Sequence, residues 1–137
     1  MKLVFADAAY WIALVNPNDQ WFEAAVAAYE ELGPDAHLVT TEEVLTEVLN
    51  NFSRDGRRIR EKAVEQVWTI LNADDVTVHG QTHDSFLAGL QRYELRSDKS
   101  LSLTDCISMV VMEEEGVQEV LTPDQHFRQA GFHVLMR

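Results

Sequence analysis

Lys2-Leu3-Val4-Phe5-Ala6-Asp7 decides how the rest of the chain is read. Its apolar run has the length and composition of a β-strand, and it ends on a carboxylate. An acid there is expensive to bury and poorly explained by packing. Ala8-Ala9-Tyr10-Trp11-Ile12 follows and looks helical, so N-capping by Asp7 is the structural alternative.

Outward from this strand, the chain alternates. Residues 20–32 read as a helix stopped by Gly33-Pro34, and 37–40 as a short strand. Residues 41–52 carry apolar residues at helical spacing: Val44, Leu45, Val48, Leu49 and Phe52. Residues 60–72 form the next predicted helix, with Val64, Val67, Trp68 and Leu71 on one face. Residues 75–79 alternate like a strand, and 83–95 are helical with a stripe of Phe86, Leu87, Leu90 and Tyr93. A helix over 103–115 stops at Gly116, followed by a strand at 119–122, a helical turn at 124–129 and a last strand at 132–136. The face of residues 63–71 with Trp68 reads as core packing, with a dimer or partner-protein contact as the alternative. Strands alternating with helices predict a parallel α/β sandwich, and ligands of such sheets bind beyond the carboxyl ends of the strands. No linker or repeat interrupts residues 1–137, so one domain is expected.

Three more acids share the setting of Asp7. At 100° per residue, Glu47 lies near the edge of its helix's apolar face, whereas Glu43 points towards water and Glu42 borders the other edge. Asp105 opens a helix with no charge from Cys106 to Met112. The helix dipole offers an exposed acid only about 0.3–1 kcal/mol. Burying an unpaired carboxylate costs several times that, so Asp105 demands a cation or several hydrogen bonds. Asp124 follows Thr122-Pro123 at the end of a strand, where an Asx turn is the alternative. Four carboxylates at one rim would repel one another, and a hard cation turns that cost into binding. Oxygen donors without a Cys/His set select Mg²⁺ or Mn²⁺ over Zn²⁺.

Composition narrows the field. The 137 residues are 46% hydrophobic with a net charge of −12, a globular chain unsuited to coating nucleic acid. Arg54, Arg57, Arg58, Arg60 and Lys62 nevertheless gather five of the eleven basic residues, as a solvated helix start or as a phosphate-steering patch. Cys106 is alone among apolar neighbours and reads as a buried structural thiol. The five histidines form no metal-binding pair, and His126, two residues past Asp124, reads as local structure. No run is long enough to span a membrane and no signal-peptide pattern opens the chain, so a cytoplasmic protein is expected.

With these residues in hand, the chain resembles the PIN-domain family, specifically VapC-like ribonuclease toxins of type II toxin–antitoxin systems. The resemblance runs through Val4–Leu14, Val39–Asn50, Ser102–Ser108 and Leu121–Phe127, followed by Ala130-Gly131-Phe132. It implies a three-layer α/β/α fold with a mainly parallel central sheet, and Mg²⁺- or Mn²⁺-dependent RNA cleavage. It also implies an antitoxin partner and a homodimer. By motif, Asp7, Glu47, Asp105 and Asp124 would be the catalytic acids, Asp7 and Asp105 the direct metal ligands, and Thr122 a supporting hydroxyl. Arg54, Arg57, Arg58 and Arg60 are candidates for RNA binding. Ala8-Ala9 departs from the hydroxyl-bearing stretch usual after the first acid. The reading is a metal-dependent endoribonuclease. Its rivals are a PIN-fold binding module and a DNA- or structure-specific nuclease.

Overall fold

A computed structural model describes residues 1–96 and 100–137. Among them are five strands and seven helices. The strands are β1 (Lys2–Ala6), β2 (Ala36–Thr41), β3 (Val76–His79), β4 (Glu119–Leu121) and β5 (His133–Val134). The helices are α1 (Ala8–Val15), α2 (Phe22–Leu32), α3 (Glu42–Asn51), α4 (Arg57–Asn72), α5 (His83–Leu95), α6 (Leu103–Glu115) and α7 (Gln125–Gln129).

All strand pairings are parallel, in the order β3-β2-β1-β4-β5. β1 is central, and Val4, Phe5 and Ala6 are fully buried, as an apolar strand covered on both faces must be. The chain steps outward from β1 through β2 to β3, then returns across the sheet to β4. Right-handed crossovers running in opposite directions place helices on opposite faces, which gives the three-layer α/β/α sandwich. The strand order reverses beside β1, so the crevice for a ligand opens beyond the ends of β1 and β4. A hydrogen bond from Asp7 N–H to Leu121 C=O (3.2 Å) extends that pairing to the rim.

Local chemistry fixes the helices that approach this rim. Thr41 Oγ1 caps α3 by accepting from Val44 N–H. Ser102 and Asp105 form a reciprocal capping box at the start of α6, and Gly116, at φ 70°, ends it in the left-handed conformation glycine favours. α4 begins at Arg57, one turn earlier than the periodicity indicated, so Arg57, Arg58 and Arg60 sit in its first turn or so. Cys106 is buried, as expected.

One expectation, the core reading of the α4 face, is corrected. Of the α4 stripe, only Val67 packs on the core, while Val64, Trp68 and Leu71 are exposed, Trp68 by 62%. Small Ala63 and Ile70 face inward instead. On α5, Phe86, Leu87, Leu90 and Tyr93 are all exposed, and the helix meets α6 through Gly89. A Cβ on Gly89 would stand 2.3 Å from Ile107 Cγ1. Close approach of the α5 backbone, not side-chain volume, seals that contact.

Candidate active site

Asp7 leaves β1 at the reversal point and is 5% exposed. It holds the N-cap position of α1 but makes no side-chain capping bond, which removes the structural alternative. Its Oδ2 accepts from Thr122 Oγ1 at 2.9 Å. Its Oδ1 is buried with no hydrogen-bond partner. Burial, then repulsion by Asp105 and more weakly by Glu47, raises the Asp7 pKa to about 7, with partial offset from the Ala8 N–H and the Thr122 hydroxyl. Thr122, on the neighbouring strand's end, supplies the hydroxyl that contacts Asp7.

Asp105, 9% exposed, accepts from Ser102 N–H through Oδ2 (3.2 Å), and Ser102 Oγ accepts its N–H at 3.1 Å. Burial raises its pKa, the Ser102 bonds pull it down, Asp124 raises it and His126 lowers it. Glu47 is half-buried on α3, its pKa raised by burial, then by Asp105, then by Asp124. The helical wheel placed Glu47 correctly but reversed its neighbours: Glu43 is half-buried, while exposed Glu42 accepts from Gln81 N–H at 2.8 Å. Asp124 caps α7 by accepting from His126 N–H (2.9 Å), so its Asx-turn role is real. Its own N–H donates to Thr122 Oγ1 at 3.2 Å. Thr122 therefore ties Asp7 to Asp124.

Four elements thus bring the four acids into one mutually repelling group. The arginines stay apart. A cleft of about 690 Å³ at the α3–α4 corner is lined by Arg54, Arg57 and Arg60 and by none of the four acids. No arginine is among the main charges acting on Asp7, Glu47 or Asp105. Arg57 pairs with Glu61, and Arg60 donates to Ser53 C=O. His126, read from the sequence as local structure, makes a local contact: its Nδ1 lies 2.7 Å from Asp124 Oδ1.

Among the described residues, no three His, Cys, Asp or Glu side chains form a ready cage for a metal ion. Mg²⁺ does not require one, since it keeps several waters and takes one or two carboxylates. The donor chemistry fits such an ion: a buried, unpartnered carboxylate oxygen on Asp7, a second buried aspartate acting on it, and oxygen donors only.

A parallel sheet with acids gathered where its strand order reverses defines an α/β protein with an anionic rim site. Residues 4–133 match the PIN domain, and the chain belongs to that family. Its structure is similar to that of VapC20 of Mycobacterium tuberculosis, a sarcin–ricin loop cleaving toxin, at TM-score 0.81 and 27% identity over 94% of this chain and 95% of that one. VapBC2 of Rickettsia felis, solved bound to a DNA fragment from its promoter, shares the fold at TM-score 0.68 and 11% identity over 96% of both chains. The chain is thus a VapC-like PIN domain. No curated protein matches it.

Proposed function

We propose that this protein is a metal-dependent endoribonuclease and the toxin of a type II toxin–antitoxin pair. The observation that carries this is Asp7 Oδ1, a buried carboxylate oxygen without a partner, among acids whose pKa values are raised together. A cation relieves both costs at once. The likeness to a toxin that cleaves the sarcin–ricin loop directs the reading to RNA.

Asp7 and Asp105 would hold Mg²⁺ or Mn²⁺, with Glu47 and Asp124 completing the pocket through water. The bound ion would supply an activated water and neutralise charge on the phosphate. Thr122 fixes Asp7 by Oδ2 and leaves Oδ1 free for the ion. Ser102 holds Asp105 at the N-terminus of α6, whose dipole favours the ionised form. Asp7 and Asp124 follow strands, Asp105 lies in the first turn of α6 and Glu47 lies within α3, rigid elements that hold them before substrate arrives. Arg54, Arg57, Arg58 and Arg60, outside the acidic pocket, would steer the RNA backbone towards it.

The exposed apolar residues of α4 and α5 support the partner reading, an antitoxin and a second copy of the chain. The VapBC2 structure gives precedent for a complex on this fold. No described helix is long and apolar enough to cross a membrane, which fits action in the cytoplasm.

The test is cleavage of single-stranded RNA and DNA by purified protein with Mn²⁺, beside Asp105→Asn. RNA cleavage lost in the variant supports the proposal. Cleavage of DNA alone would favour the other nuclease reading. Absence of Mn²⁺ binding and cleavage in the unsubstituted protein would leave a binding module.

A further inference from the structure

Asp124 is held more firmly than a helix cap requires. Its Oδ1 accepts two hydrogen bonds, from the His126 backbone N–H at 2.9 Å and from the His126 ring at Nδ1, 2.7 Å away. The backbone bond alone satisfies the cap of α7. An ionised carboxylate only accepts, so Nδ1 carries the hydrogen of the second bond. Both bonds fall on the same oxygen, and Oδ2 is left to other partners.

Packing does not account for the ring. The His126 side chain is 29% exposed, while its neighbour Phe127 is fully buried and stacks edge-on against Phe132, anchoring α7 to the core. The turn bears on the other acids: His126 is among the charges acting on Asp105, and Asp124 acts on both Asp105 and Glu47. The same turn is tied to Asp7, since Thr122 Oγ1 accepts from Asp124 N–H and donates to Asp7 Oδ2.

We infer that His126 is a positioning residue of the acidic site, clamping Asp124 by one oxygen so that the other serves the bound ion and its waters. The inference rests on the metal-dependent nuclease reading above. It is the arrangement by which a ring N–H orients a carboxylate and tunes a metal site from outside the ligand set.

The test compares His126→Ala, His126→Phe and His126→Asn with the unsubstituted protein. Asparagine can place an N–H near the position of Nδ1, whereas phenylalanine keeps the ring and loses the donor. Mn²⁺ affinity is measured by calorimetry, and cleavage of single-stranded RNA gives kcat and KM. His126→Ala and His126→Phe should lose about tenfold or more in Mn²⁺ affinity and in kcat with KM unchanged, and His126→Asn should recover most of both. Equal Mn²⁺ affinity in all four proteins, with cleavage intact, would overturn the inference and leave the nuclease reading standing. Recovery by His126→Phe instead of His126→Asn would reduce the ring to packing and overturn it too. Should His126→Ala fail to fold, the Phe and Asn variants decide. Mn²⁺ binding without RNA cleavage in the unsubstituted protein would sink the nuclease reading, while the affinity ratios still judge His126.

Discussion

The rim beyond β1 and β4 and the outer faces of α4 and α5 break opposite rules. At the rim, Asp7 and Asp105 are buried where charge is costly. On the outer faces, Trp68, Phe86 and Leu90 meet water where apolar area is costly. On the proposed reading, each violation suits a partner of matching chemistry, a cation for the first and another polypeptide surface for the second. The stability of the isolated chain should therefore rise when a rim charge is removed, and stay nearly level when an outer apolar side chain is removed.

The largest effect is expected at Asp7. Asp7→Asn keeps the side-chain shape and an oxygen for Thr122, but removes the charge. RNA cleavage with Mn²⁺ should fall about 10³-fold or more, roughly 4 kcal/mol of transition-state stabilisation. The same variant should be more stable than the unsubstituted protein when metal-free. The folded pKa of Asp7 is about 7, against 3.8 unfolded. Between these values the folded state binds more protons, so stability from this group is full below pH 3.8 and is lost as pH rises through 7. At pH 8 Asp7→Asn should gain roughly 2–4 kcal/mol in metal-free urea unfolding, and near pH 4 almost nothing. Added Mn²⁺ should stabilise the unsubstituted protein increasingly from pH 6 to pH 8, as the proton leaves. A variant destabilised at every pH would mean that Asp7 is only structural.

The contrast is sharpest within α5. Its inner face is sealed at Gly89, where an added Cβ meets Ile107 at 2.3 Å. Gly89→Ala should cost about 1–3 kcal/mol by overpacking, despite the better helix propensity of alanine. On α4, Trp68→Ser should change the unfolding free energy of dilute protein by less than about 0.5 kcal/mol. It should instead shift the oligomeric state or antitoxin affinity, measured by light scattering and titration. A large loss of monomer stability in Trp68→Ser would show that the residue packs within its own chain.

These outcomes bear on what the sequence could reveal. The rim was legible because a carboxylate on an apolar element stands out one residue at a time: Asp7 after β1, Asp105 opening an uncharged helix. The outer face of α4 stayed open between core and partner contact because periodicity reports that a helix has an apolar side, not what covers it. α4 carries two such sides, and the one with Ala63 and Ile70 faces the core. The Asp124–His126 bond was hidden for another reason, since two residues two apart say nothing about ring orientation until α7 fixes it.

The smallest effect is expected at the α3–α4 corner, which stands between the two regions in kind. Its arginines are charged and exposed, so they break neither rule. Arg54, Arg57 and Arg60 line a cleft without the four acids, and no arginine is among the main charges acting on Asp7 or Glu47. Arg57→Glu/Arg58→Glu should therefore leave kcat and the pH profile unchanged and raise KM a few-fold, since only binding shared by ground and transition states is removed. The slope of log kcat/KM against log salt should flatten by about 0.7 for each phosphate of single-stranded RNA that is no longer neutralised. An unchanged KM at every salt concentration would make the cluster a solvated helix start. A fall in kcat would instead place these arginines at the phosphate under attack, and the two regions would then be one.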